Sequence, residues 1–492
     1  MASAGRTYRF APLDESGWLL GLQGPQCLLL GAGFGGAALL LQVGAPPLAS
    51  LVVVLVATTA AFVPVAGARG YEWLPTLGRH AHRQMTGRSS WRRPVLGRQL
   101  GEVWPGALAG IELVDLGTVT LADGPTAISA VHDRRLRTVS TTVRVRGRGF
   151  SLAERGEQER LIALWGEVLG GFCGERSEVS SVRVTEWSAP ADLETHERFF
   201  AEHGSARAAA AGEDYRALLR AAQPRTVGHE ALVTVTADHR RIRGRGRRSA
   251  TALLEDAARD QLRALVSRLD VAGLDAAPLD VEDLAATLRS RLDPSAVAGG
   301  RRTAWRSLAA AAGMATGVAA PMAMDASWSA VRVDGSWHRS FWIADWPRLE
   351  VGPSWFEALV LHAGGVRTIA LMYEPVAPSK SRRRIDRDST RLAADEAQRE
   401  RTGFRIGAAH RRAQAAVHER EAELVAGYAE LDFVGVVTVT AHDEEELARN
   451  AADFEQVAAQ CGLHLRALDG RHDLGLVCSL PLGRGLAGRR SG

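Results

Sequence analysis

The first stretch with the spacing of a chemical motif is "CLLLGAGFGGAALLL", residues 27–41. Gly31, Gly33 and Gly36 match the G-x-G-x-x-G turn that seats a dinucleotide pyrophosphate on a helix N-terminus. That chemistry makes two further demands: an acid about 20 residues on for the ribose, and a helix with one polar face. Neither is met, because "SLVVVLVATTAAF" (50–62) fills the acid's window and "GGAALLLQVGAPP" (35–47) carries no charge. Other spacings fail in the same way. There is no H-E-x-x-H, G-x-S-x-G or C-x-x-C, and the four cysteines (27, 173, 461, 478) are scattered. Of 60 basic side chains only Lys380 is lysine; it lies in "APSKSRRR" without a glycine loop, so there is no P-loop. His229-Glu230, His418-Glu419 and His442-Asp-Glu-Glu-Glu446 set acids beside histidines, but no further ligand stands at helical spacing. They read as solvated strand or helix ends. No catalytic residue, cofactor or metal is expected.

The glycines therefore need another use, and the surrounding elements supply one. From Ser16 to Ala68 there is no Asp, Glu, Lys, Arg or His. Two apolar runs, about 27–43 and 48–66, are separated by Gly44-Ala-Pro-Pro47. Each roughly matches a hydrocarbon core of about 30 Å, and the proline pair blocks a continuous helix. The expectation is a transmembrane helical hairpin over 24–68, with Gly31 and Gly35 as a G-x-x-x-G ridge for close helix packing. Between Arg69 and Arg98 stand seven arginines (69, 79, 83, 88, 92, 93 and 98) against one acid, Glu72. Arg6 and Arg9 precede the hairpin, so the positive-inside bias puts both termini in the cytosol of a two-pass inner-membrane protein.

The rest of the chain reads as an α+β body. After a cytosolic segment (1–23), the hairpin (24–68) and an Arg-rich connector (69–107), two α+β domains follow at 108–300 and 301–492. Alternating strands are expected over 108–146, 177–187, 229–238, 328–345, 366–374 and 433–441. Helices are expected at 151–171, 192–222, 249–270, 279–291, 353–362 and 443–462, with a long charged helical region at 381–429. Two ferredoxin-like halves fit this alternation, and the blocks 139–187 and 433–480 look like copies of one another.

Two basic runs, 239–248 and 380–387, have the composition to meet nucleic acid or anionic lipid, and equally that of a solvated loop and a helix start. Five of twelve tryptophans fall in 328–355. Of these, Trp337, Trp342, Trp346 and Trp355 read as core or as partner-surface anchors.

A resemblance gathers these parts. The hairpin, the Arg-rich connector, "SFWIADWPRLEVGPSWFEALV" (340–360), "VRTIALMYEPV" (366–376) and "FVGVVTVTAHDEEELARNAADFEQVAAQCGLHLRALDGRHDLGLVCSLPLG" (433–483) occur in that order. The chain resembles actinobacterial, PrgI-like membrane proteins associated with conjugation. Its cytosolic part is similar to the amino-terminal, non-ATPase region of conjugative (type IV secretion) transfer ATPases. In those ATPases a motor domain follows the stretch like "DLGLVCSLPLG"; here Gly492 comes a few residues later. The resemblance implies a scaffold in the inner membrane, partnered by a separate P-loop ATPase and other secretion subunits. The rival expectation is an accessory membrane subunit of a type VII-like secretion complex; a tethered enzyme and a DNA-binding protein are remoter alternatives.

Overall fold

The computed structural model describes residues 7–10, 24–65, 68–93, 104–147, 149–190, 194–203, 209–222, 226–242, 249–297, 319–402 and 407–485. The apolar runs form two helices, α1 (Gly24–Gln42) and α2 (Pro47–Phe62), joined by a turn in which Gly44 has φ +81°. They pack antiparallel: Gln26 Nε2 donates to the Ala61 carbonyl, Ser50 Oγ to that of Ala37. α1 is long and apolar enough to cross a membrane; α2, at 16 residues, is shorter. At about 1.5 Å per residue α2 spans roughly 24 Å. The expected second run to 66 is cut at Phe62 because Pro64 cannot accept helical continuation and biases Val63 to extended backbone.

A two-stranded turn, β1 (Pro64–Val65) and β2 (Ala68–Arg69), leads into α3 (Gly70–Met85) and β3 (Ser90–Arg92). Then comes the first half of the body: β4 (Ile111–Leu121), β5 (Gly124–Asp133), β6 (Thr138–Arg146), α4 (Arg155–Gly170), β7 (Val179–Pro190), α5 (Glu194–His203), α6 (Ala209–Ala222), β8 (Val227–Asp238), α7 (Ala250–Val271), β9 (Asp275–Pro278) and α8 (Val281–Leu292). The second half repeats the order: β10 (Ala323–Ala326), β11 (Val331–Val333), β12 (Ser336–Asp345), α9 (Glu357–Val360), β13 (Val366–Pro375), α10 (Pro378–Thr402), α11 (Ala408–Val425), β14 (Leu431–Ala441), α12 (Glu444–Gln460), β15 (His464–Ala467) and α13 (His472–Ser479).

Each half contains the β-α-β-β-α-β unit of a ferredoxin-like fold, with strand orders β9-β6-β8-β7 and β15-β12-β14-β13 and every neighbour antiparallel. The halves join edge to edge through β7 and β13, with Arg367 opposite Ser188 and Tyr373 opposite Val182. The 108–300 and 301–492 stretches thus share one antiparallel sheet. Its repeat is not the one expected. The block around 139–187 corresponds to 336–375, and 433–467 to 231–278. "VTVTA" stands at 233–237 and again at 437–441, at matching places in β8 and β14.

Side-chain ladders confirm that register. Thr142 meets Thr234 at 2.9 Å as Ser340 meets Thr438 at 2.9 Å. Ser140 meets Thr236 at 3.0 Å as His338 meets Thr440 at 2.9 Å. Likewise the Leu279 amide donates to the Thr142 carbonyl and the Leu468 amide to that of Ser340. Since side chains alternate along a strand, the intervening residues face the other way. Val139, Val143, Val233 and Val235 pack under α4 and α7, and Val437, Val439 and Phe341 under α12.

The hydroxyl-bearing face is covered by α8, which packs on β4 and β5, and α13, which packs on β12 and β14; the end of α8 and the tail after α13 each cross to the opposite half. Arg289 of α8 bonds Asp334 at the β11–β12 turn (2.6 Å) and Asp293 (3.1 Å), and the Leu292 carbonyl accepts from His338 (2.9 Å). In return, the tail after α13 is held by Arg183 of β7, which donates to the carbonyls of Leu480, Leu482 and Arg484. Arg484 bonds Asp133. Leucines of α8 and the 476–482 segment share one core cluster, so the two arms meet in the middle.

Several expected helices differ in extent. The 192–222 helix is two, α5 and α6; the 381–429 region is an antiparallel pair, α10 and α11, tied by Arg420–Asp388 and Gln414–Glu396. The 353–362 helix shrinks to the single turn of α9, because Gly364 and Gly365 follow and Trp355 is drawn into an aromatic cluster. Both helical pairs occupy the connection between the second and third strands of their ferredoxin-like unit.

Candidate functional site

The glycine motif lies wholly inside α1, not in a strand-to-helix turn. Its backbone amides are spent on the helix, which leaves no nest for a phosphate. The close approach of the two helices falls on Gly33, where an added Cβ would stand 2.4 Å from that of Ala57. Gly31 and Gly35 sit elsewhere on the helix, and an added Cβ on either meets nothing within 4 Å. Away from the α1–α2 seam the hairpin is bare and apolar: Leu28, Phe34, Leu39, Leu48, Leu51, Leu55 and Val56 are all more exposed than buried. Contiguous apolar surface of this kind marks an interaction with lipid or another apolar partner.

Both flanks of this hairpin are fastened to the second half of the body. Before it, Tyr8 pairs with Val351 through two backbone bonds of 3.0 Å, and Thr7 donates to Glu350 at 2.7 Å. Phe10 enters a cluster with Trp346 (centroids 5.1 Å), Trp355 (5.2 Å) and Phe433 (6.2 Å). After the hairpin, Gly70 lets α3 close on Ala60, where a Cβ would lie 2.7 Å from the carbonyl oxygen. Trp73 of α3 packs tilted against Trp328 and His80 meets the same ring edge-on, and β3 adds to β10.

The connector's arginines divide by role. Arg83 makes a bidentate pair with nearly buried Asp473 (2.5 and 3.3 Å), and that hydrogen bonding raises its pKa. Arg92 pairs with Asp325 in the same fashion (2.7 and 2.8 Å), and Glu72 meets Arg466 at 2.8 Å. These side chains pin the connector to the body. Arg79 lines a cleft between α3 and the Gly470–Leu474 turn, Arg88 is exposed, and the Arg93 amide bonds the Met322 carbonyl. Only the backbone of Arg69 is described, and Arg98 lies outside the described residues.

The tryptophans are half-buried. Trp337, Trp346 and Trp355 pack on the core beneath α12, with Trp346 and Trp355 also covered by Phe10; Trp342 alternates to the opposite face of β12.

The histidine–acid pairs have structural partners. His229 does not engage Glu230 but Glu186, at 2.8 Å, with Ser188 at 3.1 Å. Serine, histidine and glutamate are the residue types of a nucleophilic relay, yet Ser188 and Glu186 both approach Nδ1. A relay needs them on opposite ring nitrogens. Glu230 turns to the other face and pairs with Arg144 and Arg291. Asp443 caps α12, accepting from the Glu446 amide, while Glu446 accepts from that of His442. His418 faces Glu421 on exposed α11. Arg384 of the 380–387 run pairs with Asp432, and residues 243–248 lie outside the described residues. Among the described residues no three His, Cys, Asp or Glu side chains form a metal-binding group. Burial pushes the Cys478 thiol up to about 11 and raises Cys173 as well, so neither is poised as a nucleophile.

No protein-family model and no curated protein matches this chain. The residues themselves must carry the functional reading. The features that sequence reasoning missed are His338 and Arg183, buried polar groups that lock the two arms. The duplicated "VTVTA" was the signal that would have found them, since it fixes the register of both hydroxyl ladders.

Proposed function

We propose that this chain is a non-catalytic, membrane-anchored scaffold of a conjugative or type IV-like secretion machine, docking a separate ATPase. In this reading α1 and α2 both enter the inner membrane, with modest local thinning accommodating the shorter α2. The body and both termini lie on the cytosolic side. The observation that carries it is the fastening of residues 7–10 and 70–92 to the same half of the body. A hairpin whose two flanks share one anchor leaves and returns on one side of a bilayer. The arginine-rich flank favours the cytosolic side. Two helical pairs, α5–α6 and α10–α11, project from opposite ends of the central strands and offer docking elements.

The test is purification from membranes in mild detergent, followed by identification of partners. A P-loop ATPase of a transfer machine should co-purify in stoichiometric amount. Recovery with a type VII secretion core would move the assignment to that class, and a partner-free chain would remove the docking claim.

A further inference from the structure

α3 has two faces of different character. Trp73, Thr76, His80 and Arg83 point to the body. On the opposite side Leu74 (56% exposed), Leu77 (49%), Ala81 and Met85 (88%) form an uncovered apolar stripe at helical spacing. This stripe begins one turn after the helix closes on Ala60 at the end of the hairpin, so it continues the hairpin's apolar surface.

Along the flank of the stripe runs the cleft lined by Gly78, Arg79, His82 and, from the facing turn, Arg471. Of the carboxylates facing it, Glu72 pairs with Arg466 and Asp473 with Arg83, while Asp469 stands beside His472 and acts on Arg471 through its charge alone. Arg79 and Arg471 pair with no carboxylate among the described residues, and Arg471 Nε is buried without a hydrogen-bond partner there. Burial, and after it the neighbouring Arg466 and Arg79 charges, lower the Arg471 pKa against the opposing pull of Glu72 and Asp469.

We propose that α3 lies in the membrane interface, with Leu74, Leu77, Ala81 and Met85 at the acyl boundary and the Arg79–Arg471 cleft holding the phosphate of an anionic lipid headgroup. An amphipathic helix with basic residues beside its apolar face has the composition for that plane. The headgroup phosphate supplies the direct ion pair that Arg79 and Arg471 lack among the described residues, and its chains extend along the adjoining stripe. The inference rests on the reading that the hairpin enters a bilayer.

The full chain is reconstituted into phosphatidylglycerol or phosphatidylcholine vesicles, with Cys27 and Cys461 replaced by alanine. Nitroxide labels are placed by Leu77→Cys, Met85→Cys and, as an aqueous reference, Leu152→Cys; Cys173 and Cys478 are buried. In phosphatidylglycerol, labels at 77 and 85 should collide with oxygen more than with a water-soluble nickel chelate, and the label at 152 the reverse. Arg79→Gln with Arg471→Gln should lower the preference for phosphatidylglycerol on the order of tenfold. Labels at 77 and 85 behaving like 152, while the chain still resists alkaline extraction, would overturn this inference and leave the anchoring intact. A chain removed by alkali would overturn both. If millimolar inorganic phosphate abolished the lipid preference, the cleft would be a free-phosphate site and the lipid assignment wrong.

Discussion

His338 provides a quantitative test of the fold's central joint. It is fully buried on β12, between Thr440 of β14 and the C-terminal end of α8. The Leu292 carbonyl can only accept, so Nε2 carries the hydrogen and Nδ1 accepts from the Thr440 hydroxyl. Protonation of Nδ1 would cost that bond and place a charge under α8. Burial pushes the pKa down to about 4 from an ordinary 6.5. The native state therefore refuses a proton that the unfolded chain takes up below pH 6.5. Stability from this group is complete above that value and declines as pH falls toward about 4, then levels off. At 1.36 kcal/mol per unit, the full loss is about 3 kcal/mol, a large share of a typical 5–15 kcal/mol. Urea unfolding of the detergent-solubilised chain, followed by tryptophan fluorescence from about pH 7 to about pH 4, measures it. His338→Gln should be less stable at neutral pH but show a shallower acid decline. His472, whose pKa burial also lowers, remains in both proteins, so the difference isolates His338. Parallel pH profiles for the two proteins would refute the reasoning.

Other predictions address the anchor and its attachments. Gly33→Leu should separate α1 from α2, costing about 1–3 kcal/mol by overpacking, whereas Gly31→Ala should be neutral or slightly stabilising; thermal unfolding in detergent compares them. Asp473→Asn leaves half-buried Arg83 without its carboxylate and should cost about 2 kcal/mol, read as a lower urea midpoint with an unchanged slope. Phe10→Ala should release the N-terminal segment from Trp346 and Trp355, at about 1 kcal/mol for the aromatic contacts, and raise the rate of proteolysis near Tyr8 in limited digestion.

The alternation of "TVTLADG" and "ALVTVTAD" was enough to identify strands, because one face packs on helices and, in β8, the other carries a hydroxyl ladder. The partnering of those strands was not legible. Every βαβ block has a similar pattern, and apart from the repeated "VTVTA" of β8 and β14 only long-range pairing shows that β6 corresponds to β12 and not to β14. Similarly, apolarity marked the hairpin, but the ridge was misplaced by two residues. Gly31, Gly33 and Gly35 are alike in sequence, and only the rotation of α1 against Ala57 selects Gly33. The arginine run was read only as a charge excess that orients the hairpin. Its local acids, Asp325 and Asp473, lie hundreds of residues away and become neighbours only on folding.

The most direct measurement for the central claim is membrane sidedness. Single cysteines are placed in the hairpin turn (Ala45→Cys) and on the body (Leu152→Cys) and tested with an impermeant thiol reagent in intact cells and in inverted membrane vesicles. The chain should resist alkaline extraction, position 45 should react only in intact cells with a permeable outer envelope, and position 152 only in inverted vesicles. Both positions reacting from the same side, or a chain released by alkali, would contradict that claim.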